Sequence, residues 1–281
     1  MEKQRLLEAY GELIYGLRKL DFIVSLTLIG KDLKDRVFEH IMDIDIVIIT
    51  KDPMKVDNYK KIEDVFSNVC KKYKTEEADF IYAIAEGPMK PYSPKNEEIF
   101  FHCLLHTIKS YKEGPFLLVK NSWQQFKPIF GIPLKEIQSF SGVTKDMLVN
   151  SLLGINHLIE LVSNDSSAYI GWEESGNGFM KPKIFPLHFK INSEKADLYI
   201  YSALRCASNW LRYTTKDNSI GIDGNMASLF KIKFPNNRFK EFPNKLLHDK
   251  KILRNKLDIS DIYSLKDNCL NFLHAVKQVI E

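Results

Sequence analysis

Cysteine is scarce in this sequence: four residues in 281, Cys70, Cys103, Cys206 and Cys269, with no C-x-x-C pair and apolar neighbours around each. That excludes a zinc knuckle or a disulfide framework and predicts small buried thiols in a reducing compartment. No uninterrupted apolar run reaches membrane-spanning length, and Met1 to Glu8 carry charge where a secretion signal would be apolar. No membrane partner is expected, and a cytoplasmic location follows. An excess of one charge is also missing: the net +4 comes without a dense Lys/Arg stripe, short of what nucleic-acid binding leaves in a sequence. There is no internal repeat and no low-complexity segment.

What is present suits one large or two medium folded domains, with 44% hydrophobic and 27% charged residues. Two stretches propose a chemistry. Phe22 to Lys31 is an apolar, β-branched run that stops at Gly30; Asp43 to Thr50 reads Asp-Ile-Asp-Ile-Val-Ile-Ile-Thr. In a strand, residues two apart share a face, so Asp43 and Asp45 project side by side. Carboxylates that close repel unless a cation joins them. Their oxygens suit Mg²⁺, which takes one or two acids and completes its shell with water and substrate phosphate.

Leu6, Tyr10, Leu13, Leu17 and Leu20 recur at helical spacing, predicting an amphipathic helix over 3–20, and Val56, Ile62, Phe66, Val69 and Tyr73 predict a second. Between them the loop 30–42 carries Lys34, Arg36 and His40, whose ordinary role is a solvated surface. A third strand is expected over 78–85. The apolar run 97–107 fits a strand or a short helix; only in the helical case would His102 and His106 form half a metal site, and core histidines are the better reading. Residues 108–143 look irregular, with a domain boundary at 142. Beyond it, one helix from Thr144 to about Ser163, an exposed connection at 171–178 bearing Glu173 and Glu174, a helix over 194–213 with Arg205 and Arg212, a short helix before Phe234, and an amphipathic C-terminal helix are predicted.

The series helix, strand ending in glycine, charged loop, Asp-x-Asp strand, helix and further acidic strand resembles the DNA polymerase β-like nucleotidyltransferase superfamily. Ile29-Gly30 matches the glycine corner and Asp43 and Asp45 the acids; Lys31 departs, standing where the family has serine. The C-terminal order of arginine-bearing helix, tyrosine, polar turn, short helix and Phe-Pro resembles the helical substrate domain of aminoglycoside-type nucleotidyltransferases. The resemblance implies an α+β fold: a small mixed sheet flanked by helices over 1–142, then a mainly helical substrate domain over 143–281.

It also implies a reaction. Two Mg²⁺ ions would be held by Asp43, Asp45 and a third acid, with Asp79 the first choice and Glu77 and Glu86 the others. A nucleoside triphosphate, ATP first, would meet Gly30, Lys31 and Lys34. The acceptor would be a hydroxylated small molecule such as an antibiotic; RNA or protein, as in toxin–antitoxin and defence systems, is the alternative. A catalytically degenerate nucleotide-binding or interaction module is the non-enzyme alternative, because Lys31 removes a phosphate-binding hydroxyl.

Overall fold

The apolar stripe Leu6, Ala9, Leu13 and Leu17 folds as helix α1 (Lys3–Arg18), buried along that stripe. Strands β1 (Ile23–Leu28) and β2 (Asp43–Thr50), helix α2 (Val56–Tyr73), and strands β3 (Asp79–Ala85) and β4 (Glu98–Thr107) follow. Next come short helices α3 (Ile108–Glu113) and α4 (Leu117–Trp123), strand β5 (Pro128–Gly131), and helices α5 (Leu134–Ile137), α6 (Lys145–Asn150) and α7 (Ile155–Asn164). Strands β6 (Ser166–Glu174) and β7 (Met180–His188) precede helices α8 (Asn192–Thr215), α9 (Gly224–Lys233), α10 (Phe242–Asn255) and α11 (Ile259–Ile280). The structure, a computed structural model, describes residues 3–30, 33, 43–76, 79–91, 98–255 and 259–281. The α+β class expected from the sequence is the one observed.

Two compact units account for the chain. The first comprises 1–114, 126–139 and 168–185; the second comprises 115–125, 140–167 and 186–281. The boundary expected at 142 falls just inside the second unit's 140–167 segment.

In the first unit five strands form one mixed sheet in the order β3-β4-β2-β1-β5. β1 runs antiparallel to β2 and β5, whereas β4 runs parallel to both β2 and β3. One face of the sheet is apolar: Ile44, Ile46 and Ile48 of β2, Ile99, Phe101, Cys103 and Leu105 of β4, and Phe80 of β3 join Leu6, Leu13 and Leu17 of α1 and Ile62, Phe66 and Val69 of α2 in one core. Phe66, Phe80, Phe101 and Tyr82 stack within it. The strand-or-helix ambiguity of 97–107 resolves to strand. β4 is buried on both faces from Ile99 onward, and a central parallel strand then reads as a continuous apolar run without alternation.

Two expectations are corrected. The segment 171–178 is an exposed connection only in its second half: 171–174 belong to β6, which forms a two-stranded hairpin with β7, and 175–179 is the exposed turn between them. Gly171 is there for packing: the Tyr169 and Phe185 rings stack at 5.1 Å beside it, and a Cβ at that position would sit 2.9 Å from Phe185. The single helix expected over 144–163 is broken into α6 and α7. Leu153 takes a left-handed conformation with φ 64°, and a Cβ on Gly154 would lie 2.8 Å from the Ser151 carbonyl oxygen, so the chain must turn there.

The second unit is built on α8, whose Ile200, Ala203, Leu204, Ala207 and Leu211 are buried. Trp210, Phe230, Phe234 and Phe272 interlock on it, and α11 supplies Phe272. Arg212, 2% exposed, donates from Nε to the Ile220 carbonyl at 2.8 Å and from Nη1 to the Leu118 carbonyl at 3.1 Å, tying α4 and the 216–223 turn to α8.

Candidate functional site

β2 carries the acids. Asp43 pairs in register with Phe100 of β4 and Asp45 with His102, so the face opposite the apolar core presents Asp43, Asp45, Phe100 and His102 together. The two carboxylate side chains are 38% and 34% exposed, open enough to take a ligand. Lining strands by their ladders rather than by sequence is what assembles this group.

Each acid has a partner. His102 Nδ1 lies 2.9 Å from Asp45 Oδ1. The imidazole is 1% exposed, and burial pulls its pKa below the usual histidine value, the Asp45 carboxylate opposing the shift and Lys90 adding to it. A neutral ring therefore donates its one N–H from Nδ1 to the carboxylate, fixing that oxygen. Nε2 is buried with no hydrogen-bond partner among the described residues. Asp43 Oδ2 is ion-paired with Lys90 Nζ, from the turn after β3. The same ammonium lies 5.3 Å from the centroid of the Phe100 ring.

The glycine corner adjoins the pair. Ile29 N–H donates to the Asp45 carbonyl at 2.9 Å, and Gly30 follows at φ 98°, a backbone state that side chains disfavour. Lys31 and Lys34, with Arg36 and His40, lie outside the described residues, as does Glu77.

The other candidate acids stand elsewhere. Asp79 is on β3, opposite Glu98, and β4 lies between it and β2, two strand spacings of about 4.8 Å each. Its carboxylate is ion-paired with Lys74 at 2.8 Å. Glu86 is 2% exposed, 3.5 Å from His106 Nδ1. His106 is four residues beyond His102, about 13 Å along the strand. Among the described residues no three His, Cys, Asp or Glu side chains gather as a metal site. Sequence reasoning places the third acid on the third strand; it passes over Glu98, which shares the His102 face of the adjacent strand, and it reads His102 as core only. No sequence signal marks Lys90, which sits in a proline-rich connection, and Glu98 and His102 share a face only because 98–107 folds as a strand.

Paired, partly exposed carboxylates on one strand face fit Mg²⁺ as a donor set when phosphate and water supply the rest. No helix among the described residues is long and apolar enough to cross a membrane.

No protein-family profile and no curated protein matches this chain. Among solved structures, that of the spectinomycin adenyltransferase AAD(9) from Enterococcus faecialis, with ATP and spectinomycin, is similar over 95% of this chain and 99% of the other, with a TM-score of 0.51 and 9% identity. So low an identity leaves the backbone course as the thing held in common. That course is the one expected: this chain has the nucleotidyltransferase fold.

Proposed function

We propose that the protein transfers a nucleoside monophosphate from a nucleoside triphosphate, ATP first, to a hydroxyl of a small acceptor molecule, with Mg²⁺ held by Asp43 and Asp45. The observation that carries this reading is the placement of the two acids side by side on β2, next to the Gly30 corner, within a nucleotidyltransferase fold. The similar adenyltransferase was solved with ATP and spectinomycin, which supports a triphosphate donor and a small hydroxylated acceptor.

Asp43 and Asp45 would hold Mg²⁺, which would supply charge neutralisation to the triphosphate and a lowered pKa to the acceptor hydroxyl. The chain's own residues position the reaction. Asp45 keeps a fixed carboxylate because His102 holds Oδ1. Gly30, without a side chain, lets backbone N–H groups approach phosphate. Lys31 and Lys34 supply point charges to the phosphates. The bond made joins the acceptor oxygen to the α-phosphorus; the bond broken releases pyrophosphate. Alignment and electrostatic stabilisation then provide most of the rate.

One observation favours a second reading, a nucleotide-binding module without turnover: both acids already have partners inside the protein. Pyrophosphate release separates the two. The wild type and Asp45→Asn would be assayed with four NTPs, Mg²⁺, and aminoglycoside, lincosamide and bulk tRNA acceptors. Release by the wild type alone, with an antibiotic acceptor, is expected. Release with tRNA instead would move the acceptor to RNA. No release with any acceptor, and nucleotide binding unchanged by Asp45→Asn, would refute the enzyme.

A further inference from the structure

Resting on the reading of Asp43 and Asp45 as a divalent-cation site, we propose that Lys90 is a resident counter-ion that competes with that cation for Asp43. Two observations put its ammonium in the site. Nζ is ion-paired with Asp43 Oδ2. The same Nζ stands 5.3 Å from the ring centroid of Phe100, the register partner of Asp43, at cation–π range. With a side chain only 21% exposed, Lys90 is packed among these groups and is not a solvated surface lysine.

The physical need is plain from β2. Two carboxylates on one strand face repel, and in the absence of a metal each needs another neutralising or donating partner. Asp45 has a neutral imidazole N–H; Asp43 has a full positive charge. An ammonium satisfies a carboxylate oxygen with a hydrogen bond but offers no coordination sites, so it cannot bridge both acids and triphosphate as a divalent ion does. Lys90 and the metal therefore exclude one another at Asp43 Oδ2. Metal affinity is set by the difference between two cations competing for one oxygen, and the ion enters by displacing the lysine. Lys90 is thus a positioning residue: it holds Asp43 Oδ2 until metal and nucleotide arrive.

The test is Mn²⁺ binding to the full-length protein, followed by the loss of the free-ion electron paramagnetic resonance signal, which needs no turnover. Lys90→Met keeps the apolar stem over Phe100 and removes the charge; Lys90→Gln is a second neutral variant, and melting curves check that each folds. Both neutral variants should bind Mn²⁺ about tenfold more tightly than the wild type, or about 1.4 kcal/mol. Lys90→Arg should match the wild type, and Asp43→Asn should weaken binding in every background. If the neutral variants bind no more tightly while Asp43→Asn still weakens binding, Lys90 is not a competitor and the acidic pair stands. If neither Asp43→Asn nor Asp45→Asn alters binding in any background, the pair is not a metal site and both readings fall.

Discussion

His102→Leu separates the cost of folding this site from its use. The imidazole is 1% exposed, bonded through Nδ1 to Asp45 Oδ1 at 2.9 Å, with Nε2 buried and unpartnered among the described residues. Losing a hydrogen bond to a charged group costs about 1.5–3 kcal/mol. Against that, a buried unpartnered nitrogen already costs about 1–3 kcal/mol, and a leucine fully buried in its place contributes about 1.5–3 kcal/mol. Asp45, being 34% exposed, recovers part of its hydration when the donor goes.

At their midpoints the gains exceed the loss by about 2 kcal/mol, so in urea the leucine variant should be no less stable than the wild type. Mn²⁺ affinity should fall about 10–100-fold, the usual penalty for removing a group that orients a metal ligand. His102→Asn places an amide N–H where Nδ1 stood and should restore most of that affinity. Acidity adds a signature. Burial lowers the folded pKa of His102, so below the ordinary value of 6.5 the unfolded state binds more protons, and stability falls as pH drops through that window. The leucine variant should lose that share of the pH dependence. A stability loss above about 3 kcal/mol, or an unchanged Mn²⁺ affinity, would refute the reasoning, because the ring would then be a packing element alone.

In the second unit, Arg212→Ala should cost about 2–4 kcal/mol by stranding the Ile220 and Leu118 carbonyls, and limited proteolysis should begin to cut within 216–223; an uncut turn would deny that Arg212 ties it. His157 Nδ1 accepts the Leu153 N–H at 3.1 Å, and burial lowers the histidine's pKa against the pull of Glu160. Stability should therefore decline as pH falls below 6.5, and His157→Asn, whose side-chain oxygen can accept the same N–H without titrating, should flatten that decline; an equal loss of unfolding free energy between pH 7.5 and pH 5 in wild type and variant would contradict it. All four cysteines are free and buried, with burial pushing the Cys70 thiol up to about 12. A thiol reagent at pH 8 should thus leave the native protein unmodified and label four sites in denaturant, and rapid native labelling would place a cysteine at the surface.

Helices were readable because their apolar residues fall on one stripe, as at Leu6, Leu13 and Leu17, and that spacing needs no knowledge of what the stripe meets. Buried strands and glycine breaks were less so. Phe100 to His106 carries no alternation because both faces of β4 are covered. Nothing local separates Gly154, which stands at the N-cap of α7, from a glycine tolerated within a helix, or marks Gly171 as lying beside two stacked rings.

The same division holds at the site. Asp43 and Asp45 share a face by the two-residue repeat of a strand, and the apolar run of the first strand stops at Gly30; the sequence alone indicates both. Which strand lies beside β2 is a long-range matter of pairing, invisible to any local pattern, and it decides the rest. Because β4 takes that place, His102 meets Asp45, Phe100 lies across from Asp43, Asp79 stands a strand away with Lys74, and Lys90 from the turn after β3 reaches the acid that the sequence had left without a counter-charge.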